Sequence, residues 1–190
     1  MIKLCKNLIN LKTKKFVLIS SIEVYSKTSN CNEISLTLNK KKTYGSNRAF
    51  FENFIKLNFA NYIIVRLPVV YGNGLKKNLI FDLIHDNLLS QIEPKDILQF
   101  YPVKFLLRDI NILIKKKITL CNLTSDQIKV REIIEKIGKK IPKKTVTRPL
   151  RIYNMKSNFA KFWNSKKYMY SKEFILNDLK KFYNYEVSNK

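Results

Sequence analysis

The chain has 190 residues, 45% of them apolar and 12% aromatic, which is enough to bury a core and excludes wholesale disorder. No apolar run approaches the ~20 residues that a bilayer demands, and the opening MIKLCKNLINLKTKK lacks the apolar core and cleavage site of a signal peptide. The net charge of +23 is spread along the chain, with small clusters at Lys40–Lys42, Lys115–Lys117 and Lys139–Lys144. Lysine here keeps company with asparagine, isoleucine, phenylalanine and tyrosine, the residues an A/T-rich genome encodes by default. Arginine, the better reader of bases and phosphates, is scarce. The charge alone therefore does not mark a nucleic-acid binder, although a positive surface also favours a diphosphate-bearing ligand. Cys5, Cys31 and Cys121 form no CxxC pair and the single histidine is His85, so no metal site is expected. Reduced cysteines point to a cytoplasmic protein.

In chain order, residues 2–11 read as the tail of an amphipathic helix, and Phe16–Ser20 as a wholly apolar strand suited to burial on both faces of a parallel sheet. Residues 26–43 are polar and read as a loop. Tyr44–Phe59 is a helix with Phe50, Phe51, Phe54 and Ile55 on its apolar side. Tyr62–Arg66 is the next buried strand, stopped by Pro68, and Gly72 and Gly74 bend the loop that follows. The pattern then predicts a helix over Leu79–Leu89, a strand over Ile97–Tyr101, a helix over Lys104–Lys115 and a strand over Ile118–Leu123. A helix over Lys129–Ile137 closes on Gly138, and a last amphipathic helix over Ser171–Tyr183 has Ser171 as its cap. Strands alternating with helices predict an α/β fold with a largely parallel sheet, softly divided near residues 74–78. His85 reads as a polar helix position, and Trp163, Tyr168 and Tyr170 as packing for the C-terminal segment.

One pair of residues carries chemistry. Tyr44 and Arg48 stand four apart on a helix and so project to the same side. A cation beside a phenol stabilises the phenolate, which can then act as a base on a substrate hydroxyl. Ser21, at the end of the first strand, is placed to hold that hydroxyl, because ligands gather at the carboxyl ends of strands in open α/β sheets.

FVLISSIEVYS over Phe16–Ser26, YGSNRAFFENF over Tyr44–Phe54 and YIIVRLPVVYGNG over Tyr62–Gly74 stand in the order of a known family. Together they resemble the extended short-chain dehydrogenase/reductases, the NAD-dependent epimerase/dehydratases of nucleotide sugars. The resemblance implies an α/β fold comprising the C-terminal part of a Rossmann-like parallel sheet, over residues 1–74. A small mixed α/β substrate-binding region follows over residues 75–190. It gives Ser21 the serine role and Tyr44 the acid/base role, with Arg48 in place of the family's usual lysine. It implies NAD or NADP beside Tyr44, Arg48 and the backbone of Leu67, Pro68 and Val69. Glu23, Lys76, Lys77, Asn78, Gln99 and Tyr101 take substrate-binding roles by the same resemblance. The family's dehydratases carry Asp-Glu after the serine; here the pair is Ile22-Glu23, which disfavours dehydration and leaves epimerisation or reduction in surface polysaccharide synthesis.

The family's glycine-rich dinucleotide loop has no counterpart among Gly45, Gly72, Gly74 and Gly138. The resemblance therefore implies a truncated or split form, with a separate polypeptide supplying the N-terminal half and a nucleotide sugar as substrate. An alternative stays open: a non-catalytic form of the fold whose basic surface binds an acidic partner such as RNA, although nucleic acid is the less favoured partner. No membrane partner is expected.

Overall fold

The computed structural model describes residues 2–37, 43–143 and 147–189. The lysine cluster at residues 40–42 and the Lys144 end of the later one lie outside them. The order of elements is α1 (Ile2–Leu8), β1 (Phe16–Ser21), β2 (Ser29–Cys31), α2 (Tyr44–Asn58), β3 (Tyr62–Leu67) and β4 (Val69–Tyr71). There follow α3 (Leu79–His85), β5 (Ile97–Leu98), β6 (Phe100–Pro102), α4 (Leu106–Lys115), β7 (Leu120–Asn122), β8 (Ile128–Lys129), α5 (Val130–Ile137), β9 (Asn154–Met155) and α6 (Lys172–Ser188).

The central sheet is parallel and Rossmann-like, in the order β1-β3-β7. β1 and β3 pair without a slip from Phe16 opposite Tyr62 to Ser21 opposite Leu67. β3 occupies the middle because Ile63, Ile64, Val65 and Leu67 offer apolar side chains to both faces. On one face Phe51, Ile55 and Phe59 of α2 cover Leu18 and Ile64, with Cys5 of α1 beside them. On the other, Ile63, Val65 and Cys121 join a larger core that runs through Leu113 and Ile133 to Leu179 of α6. That core takes side chains from both sides of residue 74.

Three departures from the sequence pattern have physical causes. The strand expected over Ile97–Tyr101 is two strands broken at Gln99: β5 runs antiparallel to β8, while β6 runs parallel to β4. The helix expected over 79–89 stops at His85, because Asp86 and Leu88 take left-handed conformations (φ 55° and 47°). The stretch expected as a loop over 26–43 contains β2, which pairs in parallel with β9. Capping went as the residues dictate: Ser171 Oγ accepts from Phe174 N at 3.2 Å, and Gly138 closes α5 at φ 69°. No helix among the described residues is long and apolar enough to cross a membrane.

Candidate functional site at the carboxyl end of the sheet

Ser21 ends β1 and caps a single 3-10 turn, Ile22–Val24, its Oγ accepting from Glu23 N at 3.2 Å. Ile22 and Val24 point into the core, so the turn is fixed from beneath. Because Ser21 Oγ accepts that bond, its own proton remains to be donated. Glu23 accepts a hydrogen bond from the phenol of Tyr153, far along the chain. Burial first, then the Glu23 carboxylate, pushes the Tyr153 phenol well above its ordinary range.

Tyr44 is the first residue of α2, which packs against β1 and the 3-10 turn. A capping box starts the helix there: Thr43 Oγ1 accepts from Ser46 N at 3.2 Å, and Ser46 Oγ accepts from Thr43 N at 2.9 Å. Arg48 Nε donates to the Tyr44 oxygen at 3.2 Å, with the guanidinium carbon 5.2 Å from the ring centre. Tyr44 is 59% exposed, so this phenol–guanidinium pair faces outward from the helix start.

Underneath lies a buried polar scaffold. Glu52, one turn beyond Arg48, receives Ser20 Oγ at 2.6 Å from β1, together with Arg66 Nε at 3.0 Å and Nη2 at 2.6 Å from β3. The Arg66 guanidinium also lies over the ring of Tyr25, 4.7 Å from its centre. Tyr25 in turn donates to Asn122 Oδ1 at 2.7 Å, on β7. One carboxylate thus ties α2 to both strands whose ends form the site.

Leu67 ends β3 and Val69 begins β4, with Pro68 between. The loop after β4 exposes Lys76 and Lys77. Asn78 closes it, its Nδ2 donating to Val70 O at 2.9 Å while its Oδ1 caps α3 by accepting from Ile80 N at 2.9 Å and Phe81 N at 3.3 Å. Asn78, Asp82, Gln91, Leu98, Arg148 and Arg151 are among the residues that line a hollow of about 290 Å³, so one carboxylate stands on its wall beside the two arginines. Both guanidiniums are held by the buried Asp96: Arg148 Nη2 donates at 2.6 Å and Arg151 Nε at 2.8 Å. Burial alone would raise the Asp96 pKa, but these bonds outweigh it and hold the carboxyl below its ordinary value. Neither arginine was singled out from sequence; the run TRPLR was the available signal, a cluster of the scarcer cation just before a short strand.

Gln99 and Tyr101, by contrast, have side chains that face inward. Gln99 Nε2 donates to Ser125 O at 2.6 Å and to Met155 O at 3.0 Å, while its Oε1 accepts from Met155 N at 2.7 Å. Tyr101 donates to Asp109 at 2.8 Å, a carboxylate that also receives Tyr170 at 2.5 Å, Trp163 Nε1 at 3.1 Å and Arg108 Nε at 3.0 Å. Both residues are fully buried and engaged, so their polar groups serve the interior and are not offered to a ligand. The sequence-based site thus divides: Ser21 and Glu23 stand at the end of β1, Tyr44 and Arg48 on the first turns of the helix that packs against that strand, and Asn78 joins the arginine hollow. Lys76 and Lys77 stand exposed nearby in sequence.

No protein family's sequence profile matches the chain, and no curated protein does. Solved structures do. The UDP-glucuronic acid 4-epimerase of Bacillus cereus, solved with NAD, superposes with a TM-score of 0.69 at 21% identity over 98% of this chain and 66% of its own. The UDP-N-acetylglucosamine 4-epimerase of Methanobrevibacter ruminantium, solved with UDP-N-acetylmuramic acid, gives 0.70 at 16% identity, over 100% and 68%. The dTDP-glucose 4,6-dehydratase of Bacillus anthracis, solved with NAD, gives 0.65 at 18%, over 97% and 65%. The chain spans 66% of the length of the Bacillus cereus enzyme, and what it shares with all three at these identities is the fold.

Proposed function

We propose that this chain carries the acid/base and substrate-binding part of an NAD(P)-dependent epimerase or reductase of nucleotide sugars. The observation that carries the reading is the Arg48-to-Tyr44 hydrogen bond of 3.2 Å at the start of a helix packed on the end of β1. Arg48 holds the Tyr44 oxygen in position, and Tyr44 takes the proton from a sugar hydroxyl and returns it. Ser21, whose oxygen already accepts from Glu23 N, keeps its proton and donates a hydrogen bond to the same sugar oxygen. Arg148 and Arg151, fixed by Asp96, read the diphosphate beside Asn78.

The donor set fits the nicotinamide–ribose end of the cofactor. Arg48 and Tyr44 offer ribose hydrogen bonds, and in this reading the backbone of Leu67, Pro68 and Val69, where β3 ends and β4 begins, lies against the nicotinamide. The pyrophosphate end finds no glycine turn between strand and helix among these residues, and in this reading it is bound outside them. When bound, the cofactor accepts and returns the hydride; the chain's own residues orient the sugar and move its hydroxyl proton.

The test is exchange of deuteride between labelled cofactor and UDP-sugars by this chain together with a glycine-loop half. Tyr44→Phe should abolish the exchange, and its persistence in that variant would defeat the reading. A second reading, binding of an acidic partner such as RNA, is favoured by one feature. Pro94, Lys95, Lys129 and Arg131 line a hollow of about 370 Å³, with no carboxylate on its wall among the described residues. Salt-steep retention on RNA would support it, and no retention at moderate salt would remove it.

A further inference from the structure

β4 is three residues long, and its two ends serve different cavities. Val69 at its start lines the arginine hollow, whereas Tyr71 at its end lines a separate pocket of about 350 Å³. Pro102, Val103 and Lys104, at the end of the neighbouring β6, and Asp178 and Phe182, four apart on α6, line the same pocket. It shares no lining residue with the arginine hollow, and none of Ser21, Glu23, Tyr44 and Arg48 reaches it. The lining is mostly apolar: the Tyr71 and Phe182 rings lie 5.8 Å apart, tilted by 47°, and Val103 leaves 38% of its surface in water. Its charged groups are unequal in what they can still offer. Both oxygens of Asp178 are taken, Oδ2 by the Tyr71 phenol at 2.9 Å and Oδ1 by Lys104 Nζ. An ammonium has three N–H groups, so Lys104, whose side chain is 57% exposed, keeps two for a ligand.

We propose that this pocket binds a small aromatic carboxylate, its ring against Tyr71, Phe182 and Val103 and its carboxylate on Lys104. The ring follows from the lining, because aromatic side chains favour tilted or offset contact with another ring, and such contact takes Val103 out of water. The negative charge follows from the free donors. A neutral ligand would leave them to solvent, and a cationic one would meet the Lys104 ammonium while finding the Asp178 oxygens already engaged. Size limits the ligand to a single ring, since ligand pockets run from about 300 to 1,000 Å³ and this one stands near the lower end. A nucleoside diphosphate is a poor match, for one ammonium replaces the two guanidiniums of the arginine hollow. The ligand is held without being transformed: burial, and then Asp178, pushes the Tyr71 phenol far above its ordinary range, which leaves the pocket no proton carrier near neutral pH. The site stands whether or not the catalytic reading above holds.

The test is ligand-observed NMR titration of the full chain with three probes of one shape and different charge: phenylacetate, phenylethanol and phenylethylamine. A ligand of about ten non-hydrogen atoms at ordinary efficiency saturates at about 10 mM or below. Phenylacetate should do so, and should bind at least about fivefold more tightly than the alcohol or the amine. Lys104→Gln, at an exposed position, should keep the urea midpoint and erase that preference. Val103→Trp should fill the pocket and abolish binding of phenylacetate. Saturating UDP should leave phenylacetate in place, because the two cavities are separate. Absence of saturation, equal binding of the three probes, or a preference that survives Lys104→Gln would each overturn the proposal. Binding that persists in a folded Val103→Trp chain, or displacement by UDP, would do the same by putting the acid elsewhere. The Lys104→Gln comparison decides the matter if Val103→Trp does not fold.

Discussion

Glu52 and Arg66 form an ion pair of 2.6 Å with both side chains almost wholly out of water. Glu52 belongs to the helix that carries Tyr44 and Arg48, and Arg66 to the middle strand of the sheet. Ser20, next to Ser21, takes the remaining capacity of the same carboxylate. Their geometry sets where the helix start stands against the strand end.

Breaking such a pair from one side leaves a buried charge unmatched, which costs about 3–5 kcal/mol, whereas removing both charges costs far less. Glu52→Ala and Arg66→Ala should each lower the urea midpoint strongly, while Glu52→Met with Arg66→Met should recover most of the loss. Urea unfolding at constant m-value checks this. A double variant as unstable as either single one would show that the pair's partners, Ser20 and Tyr25, hold the region instead.

Arg148 and Arg151 should carry diphosphate affinity. Hydrogen bonds to charged groups contribute about 1.5–3 kcal/mol each, so Arg148→Ala or Arg151→Ala should weaken UDP binding by roughly 10–150-fold. Asp96→Asn should weaken it through loss of positioning. Calorimetric titration of UDP against the three variants is the measurement, and unaltered binding in both arginine variants would move the phosphate site elsewhere.

Gln99 makes the opposite prediction, although the family resemblance gives it a substrate role. Gln99→Ala strips partners from Ser125 and from the backbone of Met155, and unsatisfied buried groups cost about 1–3 kcal/mol each. The variant should lose stability in urea and keep its UDP affinity. The reverse pattern would return Gln99 to the ligand.

Stability should fall at both ends of the pH scale. Burial, opposed by the Arg66 guanidinium, pushes the Tyr25 phenol up from 10.0 to about 12. Burial raises Tyr71 and Tyr101 as well, with Asp178 and Asp109 adding to it. A raised folded pKa means that the folded state holds its proton longer than the unfolded one. The contribution is complete below pH 10 and is lost as pH rises through the folded values. Asp96 works in the other sense: its contribution is present above its ordinary value of 3.8 and lost as pH falls through its lowered folded value. Urea midpoints from pH 3 to pH 12 check both limbs, and Tyr25→Phe should flatten part of the alkaline one.

How much of this was legible in the sequence depends on how local the cause is. The β1, α2 and β3 segments are specified by their own apolar runs and by the Thr43 cap, and they were readable within a residue or two. The Tyr44–Arg48 pair was readable for the same reason, since helix periodicity alone brings the two together. β2 was not, because Ser29-Asn30-Cys31 has no strand pattern and is a strand only through β9. Gln99 and Tyr101 look like polar ligands in one dimension; their burial is decided by Met155 and Asp109, which no local pattern reveals. Arg148 and Arg151 stood among many cations, and Asp96, more than fifty residues earlier, is what singles them out.

The lateness of β9 bears on how the chain is made. The buried Glu33, just after β2, receives Asn122 N at 2.9 Å, Ser157 Oγ at 2.5 Å and Asn158 N at 2.9 Å. Synthesis proceeds at roughly 5–20 residues per second, so several seconds or more separate translation of that carboxylate from translation of its last donors. Until residue 153 is made, β2 has no strand beside it and Glu23 has no Tyr153. A chain that has passed β7 but not reached residue 153 therefore has all three strands of the central sheet, while Tyr153 for Glu23 and Ser157 for Glu33 are still to come.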